Sequence, residues 1–443
     1  MKILLVGQSW FSEQFRAAGH EVVTIGFAKH LEVIPRYPGM NVQKAFAEAG
    51  INFQPDVIVI WDNSAPIAIS GLEDLVVPIL FYSIDTHHHS HLHQYLSHFV
   101  DETWVAQKDY LNCFTSVARP ATWVPLWASK EAAPLPAKEY GAVFVGTLKR
   151  ELNPERVDFF EALQKKTPIL VMQGDWVDIF TKSEIVVNQT VKSDLNFRVF
   201  EAMMSGAMLL TESSGNGLHD LFEDKKHLVC YTKNDVDDAA EKINYYLDNL
   251  SEMREIAHRG REEVIQSHSI QARTEWFLNR ILNASIDNSP RIKNYGLSVN
   301  YSVLSRQVAP LSREAEIICL SEVFKSADKA IQVGESVNSE ILFNVISSAL
   351  AYDAFTRSTV GSKTLSKLKE AVGTSDILNM IEVRTLLNRG EVKQALSLAN
   401  EIVPGSGKDL FLEADKTAHC ILKERELMID NQTPGTLDPI YSK

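Results

Sequence analysis

Residues 186–217, VVNQTVKSDLNFRVFEAMMSGAMLLTESSGNG, place a cation, a carboxylate and a helix start within two turns of one another. A strand ends near Asn188, a polar loop follows, and the pattern predicts a helix that opens near Asn196 and stops at Gly206. Asp194 or Asn196 is suited to cap that helix, which leaves neighbouring backbone N–H groups, that of Phe197 among them, to meet an anion. Arg198 and Glu201 are three apart and so share a helix face. An arginine fork matches phosphate oxygens, and a carboxylate accepts both hydroxyls of a ribose diol. Together they make a nucleotide-diphosphate site; the plainer reading is an exposed Arg–Glu pair of the kind helix surfaces commonly carry.

A second cluster lies at residues 84–98, IDTHHHSHLHQYLSH, which hold six of the chain's thirteen histidines. Asp85 or Thr86 caps the helix expected here. On it His87 and His91 share one face, and His89 and His93 another. Such i,i+4 pairs bind zinc or nickel, but a durable site needs a third or fourth ligand. No HExxH or cysteine cluster supplies one, so no metal is expected, and His88, His91 and His98 read as helix-surface residues. Gly7-Gln8-Ser9 and Asp62-Asn63 each follow an apolar run, where α/β sheets place ligands. Turn chemistry is the competing reading for both, and the preferred one for Asp62.

These side chains need a frame. KILLVG (2–7), VVTIG (22–26), DVIVIW (56–61) and VVPILFYS (76–83) are strands apolar on both faces, which implies a parallel sheet covered by helices. A second alternating block runs GAVFVG (141–146), PILVMQ (168–173), EIVVNQ (184–189), AMLLTE (207–212) and HLVCY (227–231). Residues 118–141 contain four prolines and no clear period, and read as an interdomain linker. After Asn234 the pattern is helical. From about residue 290 strand-like runs disappear, and residues 382–403 suggest a helical hairpin turning at Gly390, as in a tetratricopeptide array.

Composition narrows the function. With 443 residues, 45% hydrophobic and 23% charged, the chain builds two or three globular domains. A net charge of -13 disfavours a broad nucleic-acid or anionic-membrane footprint, though not a local anion pocket. Cys113, Cys230, Cys319 and Cys420 form no CxxC pair. No apolar run approaches the roughly 18 residues of a membrane span, and MKILLVGQSWF fits a first strand better than a signal peptide. A cytoplasmic protein is expected. The absence of GxGxxG after KILLV argues against a nicotinamide-dependent dehydrogenase.

The run Arg198, Phe200-Glu201-Ala202 and Ser205-Gly206, followed by AMLLTE, Leu218, Leu221-Phe222 and HLVCY, resembles the donor-binding segment of GT-B glycosyltransferases. The branch it is most similar to is that of the spore-maturation CgeB-like proteins. The likeness takes in VFVGTL (143–148), GHEV (19–22) and DETWVAQKDYL (101–111), and covers roughly residues 1–285. It implies that Gly146 and Thr147 approach the phosphates and that Lys149 or Arg150 helps hold the diphosphate, with Arg156 nearby. It also implies that Glu201 binds ribose, and that Asp85 and His87 lie beside the transferred sugar. One departure is plain: retaining relatives carry two glutamates with seven residues between them, and the earlier position here is Ser193, with Asp194 beside it.

The fold class that follows is α/β, with two Rossmann-like doubly wound domains and then an all-helical, tetratricopeptide-like domain. The expected boundaries are 1–128 (acceptor side), 129–290 (nucleotide-sugar side, with a crossing helix near 270–284) and 291–443. The expected function is metal-independent glycosyl transfer from a nucleotide-diphosphate sugar, used as co-substrate without a cofactor, to a carbohydrate or protein acceptor. Residues 291–443 would bind that acceptor, a protein partner or a second copy. A nucleotide-sugar epimerase or a non-catalytic adaptor acting through the helical region are the alternatives.

Overall fold

The computed structural model describes residues 1–372 apart from 115–120, 136 and 290–291, together with 378–379, 382–383, 393–394 and 397–398. The hairpin expected at 382–403 therefore lies mostly outside the described residues.

The chain opens with β1 (Lys2–Val6), α1 (Ser12–Ala17), β2 (Glu21–Ile25), β3 (Met40–Asn41), α2 (Val42–Glu48), β4 (Val57–Trp61), β5 (Ile69–Ser70), β6 (Ile79–Ser83), α3 (Thr86–Phe99), β7 (Glu102–Val105) and β8 (Thr122–Trp123). Six of these strands form one parallel sheet in the order β2-β1-β4-β6-β7-β8, while β3 and β5 pair separately. Every residue of β4 and β6 is buried. That is the condition under which an all-parallel sheet is stable, because its crossover helices cover both faces.

The second half contains β9 (Tyr140–Val145), α4 (Pro154–Leu163), β10 (Ile169–Met172), α5 (Trp176–Phe180), β11 (Ser183–Asn188), α6 (Phe197–Met204), β12 (Met208–Glu212), α7 (Leu218–Leu221), β13 (Val229–Tyr231), α8 (Val236–Asp248), α9 (Leu250–Ser267) and α10 (Ile270–Leu282). Its sheet is again parallel, in the order β10-β9-β11-β12-β13. In both sheets the strand order reverses beside the first strand. The crevices at which α/β sheets take ligands thus open past Gly7 and Asp62 in one, and past Gly146 and Gln189 in the other.

Helix α10 returns to the first sheet. Phe277 meets the rings of Phe11, Trp61 and Trp104 at 5.0–5.1 Å, and the Arg280 Nε donates to Glu102 at 2.9 Å. On the linker side, the Ala128 N–H donates to the His268 carbonyl, so the two segments that pass between the sheets are bonded to each other.

From residue 293 the described segment is helical: α11 (Lys293–Val308), α12 (Arg313–Val333), α13 (Ser339–Thr356) and α14 (Val360–Val372). These helices do not build a core of their own. Tyr295, Leu297, Tyr301, Leu304 and Leu320 share one apolar core with Leu4, Ile58, Ile60, Phe81, Leu92 and Leu96. The buried Asn300 amide accepts from the Ile67 N–H and donates to the Ile67 carbonyl, both at 2.9 Å. At Gly296 an added Cβ would lie 2.4 Å from the Tyr95 carbonyl, so α11 presses directly on the backbone of α3. The histidine-rich helix is therefore an inner layer, between the first sheet and the helical region.

Candidate functional site in the crevice between the sheets

The second sheet's crevice is organised by Arg198. Its Nε and Nη2 donate to the Val145 carbonyl at 3.1 and 2.9 Å, and its Nη1 donates to Asn188 Oδ1 at 2.7 Å. The guanidinium lies 4.6 Å from the Phe144 ring centre. One side chain on α6 thus ties together the ends of β9 and β11. This is possible because residue 146 is glycine: a Cβ there would stand 2.7 Å from Arg198 Nη2 and 2.8 Å from the Phe144 ring. Burial pulls the guanidinium down to about 10, and neighbouring Arg156 adds to the shift. A guanidinium has five N–H donors, and the bonds described occupy three of them.

Asp194 is nearly fully buried. Its Oδ1 accepts from the Val191 N–H at 2.7 Å and from Asn196 Nδ2 at 3.4 Å. Burial raises it to about 6, against the pull of Arg156 and Arg198. Asn196 occupies the N-cap position of α6 with extended backbone but makes no side-chain cap bond; its carbonyl accepts from the Val199 N–H at 3.2 Å, which leaves the N–H groups of Phe197 and Arg198 as the first-turn donors for a ligand. Glu201 accepts a hydrogen bond from the Ser129 hydroxyl, and its carboxyl is raised chiefly by burial.

The basic residues after Gly146 divide. Arg150 turns outward to Asp158 at 2.6 Å and Glu161 at 3.4 Å on the exposed face of α4, so its bonds lead away from the crevice. Lys149 and Thr147 are both exposed at the turn. Arg156 takes the inward place: its Nε and Nη2 donate to the Oε1 and carbonyl of Gln189 at 2.9 and 3.0 Å. Asn153 caps α4 by accepting from the Arg156 N–H, which fixes the root of that side chain.

The first sheet faces this arrangement. Gly7 has a φ of +92°, and a Cβ on it would lie 2.6 Å from the Trp61 carbonyl, so its glycine serves close packing of β1 on β4. The loop after it carries Trp10, whose ring meets Phe197 at 5.9 Å; Trp127 meets Phe197 at 5.2 Å. Phe197 thereby joins the two domains through an aromatic contact. Asp85 precedes α3 and accepts from the Ser64 hydroxyl; burial and Asp62 hold its carboxyl above the usual range. His87 is buried, its Nδ1 has no hydrogen-bond partner among the described residues, and burial lowers the ring to about 4, with His88 and Lys192 contributing. Across the crevice Lys192 Nζ donates to the His87 carbonyl at 3.2 Å.

The other histidines sort by burial. His88 and His91 are exposed, whereas His98 lies buried beside α11 rather than on the helix surface. His93 is inside: Nδ1 bonds the Ser83 hydroxyl at 2.7 Å and Nε2 lies 3.7 Å from Asp62 Oδ1. The helix is also kinked at His89. Among the described residues no group of three or more His, Cys, Asp or Glu side chains is arranged to hold a metal ion. Asp62 acts as turn chemistry, its carboxylate accepting from the N–H groups of Ser64, Ile84 and Asp85.

Residues that the sequence patterns did not single out hold the two halves together. The buried Gln107 amide bonds both backbone groups of Leu195, and Asp109 and Asn216 exchange two hydrogen bonds. The glycines of SGNG serve this contact: a Cβ on Gly215 would stand 2.3 Å from Asp109 Oδ2, and one on Gly217 would stand 2.2 Å from the Trp123 ring.

The segment that carries Arg156, Arg198 and Glu201 also matches a known family. Residues 156–279 match the model of a family described as glycosyl transferase-like. No curated protein matches the chain. Among solved structures, the sucrose-phosphate synthase of Thermosynechococcus elongatus is similar at 13% identity and a TM-score of 0.49, covering 64% of this chain and 99% of that one. The Anabaena HepE protein in complex with UDP and glucose is similar at 11% identity and 0.45, and a glycosyltransferase from Rickettsia africae at 10% and 0.45, each over 64% of this chain and 99% of its own. At these values no residue of this chain takes a role from them. Among the described residues no helix is long and apolar enough to cross a membrane.

Proposed function

We propose that the chain is a GT-B glycosyltransferase that takes a nucleotide-diphosphate sugar in the crevice between its two parallel sheets. The observation that carries this reading is the joint placement of Arg198, Asp194 and the first turn of α6 at the reversal point of the second sheet, inside the glycosyl transferase-like segment. A diphosphate there meets the helix N-terminus and the remaining N–H groups of Arg198 and Arg156, with Lys149 at the neighbouring turn. Glu201 accepts ribose hydroxyls. Fixed cations and N–H dipoles favour the charge that grows on the departing diphosphate.

Asp85 and His87 are the proposed groups beside the transferred sugar. The acceptor hydroxyl oxygen bonds to the anomeric carbon while the bond to the diphosphate oxygen breaks. In an inverting reaction Asp85 or His87 takes the hydroxyl proton; in a retaining one the departing phosphate takes it. Burial keeps the His87 ring neutral but makes it a weak base, so His87 would need to be opened toward the acceptor to take the proton, whereas Asp85 is held above the usual carboxylate range. The reading extends to CgeB-like character, to metal independence, to a cytoplasmic setting, and to acceptor, partner or self-association through residues 291–443. A thermal-shift panel of UDP, GDP and dTDP tests it: at least one raises the melting temperature, and Glu201→Ala reduces the rise. No stabilisation by any of them, with Glu201→Ala unchanged, overturns it.

A further inference from the structure

The loop between β11 and α6 has an unusual backbone. Lys192 and Ser193 are consecutive non-glycine residues in the left-handed region, at φ +51° and +62°. L residues adopt that region at a cost, so two in succession persist only where surrounding groups hold them. Some of those groups belong to the same domain: Glu212 accepts from the Thr190 N–H at 3.0 Å, and Lys233 donates to the Ser193 hydroxyl at 2.9 Å. Three others originate in the first domain: the His87 carbonyl, which accepts from Lys192 Nζ at 3.2 Å, and the side chains of Gln107 and Asp109. Gln107, 1% exposed, accepts from the Leu195 N–H at 2.9 Å and donates to its carbonyl at 3.4 Å. Asp109 accepts from the Asn216 N–H at 2.8 Å, while Asn216 Oδ1 accepts from the Asp109 N–H at 3.2 Å. That exchange leaves Asn216 Nδ2 aimed at the Ser193 carbonyl, to which it donates at 2.8 Å.

We propose that Gln107 and Asp109 of the first domain are positioning residues for the 192–196 turn: one holds Leu195 directly and the other holds Ser193 through Asn216. The turn they brace contains Asp194 and leads into the N-terminus of α6, so the anion-facing geometry of the second domain is completed by contacts from the first. Gly215 supports this, since any side chain there would collide with the Asp109 carboxylate. Neither residue touches substrate in this scheme; both act through backbone they hold in place. The consequence for donor binding rests on the function proposed above, whereas the bracing itself does not.

The test is hydrogen exchange by mass spectrometry on the full chain, comparing wild type, Gln107→Ala, Asp109→Ala and Asp109→Asn, with UDP, GDP and dTDP affinities measured in parallel. Asp109 is exposed, so its variants keep the fold even if Gln107→Ala does not. Both alanine variants are expected to speed exchange at the 192–196 amides by about tenfold, the loss of one or two hydrogen bonds, with the β-strands of both sheets unchanged. Asp109→Asn, which keeps an acceptor for the Asn216 N–H, is expected to restore protection. A nucleotide that binds wild type is expected to bind the alanine variants about tenfold more weakly. Unchanged exchange at 192–196 in both alanine variants, or acceleration spread evenly over the chain, overturns the bracing. Local acceleration with no nucleotide bound by any form upholds the bracing and sinks the proposed function instead. Local acceleration with unaltered nucleotide affinity overturns the donor-site consequence.

Discussion

Replacing Arg198 by lysine keeps the charge and removes the fork, which separates two roles for this residue. As a free cation waiting for phosphate, it would tolerate lysine in the unliganded protein. The geometry says otherwise: Nε and Nη2 both reach the Val145 carbonyl, and Nη1 reaches Asn188 Oδ1. A lysine ammonium keeps one of these bonds. Asn188 is fully buried and its Nδ2 already donates to Thr211 Oγ1 at 3.0 Å, so turning its amide toward another partner would give up that bond. Hydrogen bonds to charged groups are worth about 1.5–3 kcal/mol each. Two are lost, and partial exposure of Arg198 reduces the effect, giving an expected destabilisation of about 2–4 kcal/mol. Urea denaturation without nucleotide is the assay. A Lys variant within about 0.5 kcal/mol of wild type, the usual range for a surface change, would show that Arg198 does not tie β9 to β11.

Arg150→Ala is expected to leave stability and nucleotide affinity unchanged, because among the described residues Arg150 pairs with exposed Asp158 and Glu161; a weakened affinity in titration calorimetry would return it to the site. Asn300→Ala is expected to cost about 2–4 kcal/mol, since it strips partners from the buried N–H and carbonyl of Ile67; urea denaturation decides, and a neutral result would separate the helical region from the first sheet. His93 and His87 sit near 4 instead of the usual 6.5, because burial disfavours the charged ring. Rings harder to protonate when folded contribute stability that is present above pH 6.5 and lost as pH falls through about 4. Asp194, raised to about 6, opposes this by shedding its burial cost as it protonates. The acid limb of stability in urea is therefore expected to flatten in His93→Gln, and an unchanged limb would contradict the buried neutral ring. Treatment with EDTA is expected to leave transfer activity intact, because His93 turns Nδ1 to Ser83 and Nε2 toward Asp62 and no three ligand side chains gather among the described residues; loss of activity restored by zinc would reverse that.

The two parallel sheets were legible because their strands are short apolar runs rich in Val and Ile, a pattern that only burial on both faces explains. The helix stop at Gly206 was legible for an equally local reason. The buried state of α3 was not. Histidine is polar by composition, and its spacing resembles a wet surface; what keeps His93 inside is a hydroxyl ten residues back in the chain and the carboxylate of Asp62 in the turn after β4. The inward Arg156 and outward Arg150 could not be told apart by spacing either, since both follow the same glycine turn. Gln107, Asp109 and Asn216 left no periodic signal at all: their bonds link positions 88 and 107 residues apart, and each residue is unremarkable in its own segment. Polar contacts between domains are set by docking, which a linear pattern does not encode.

The central claim is that the crevice between the sheets holds a nucleotide-diphosphate sugar through the 194–201 segment. Isothermal titration of UDP, GDP and dTDP into wild type and Glu201→Ala tests it most directly. One nucleotide is expected to bind with a stoichiometry near one per chain, and the Glu201→Ala variant to bind it about tenfold more weakly, the loss of one good hydrogen bond to a charged group. Equal affinity in both proteins, or no binding of any nucleotide to the wild-type chain, would contradict the account.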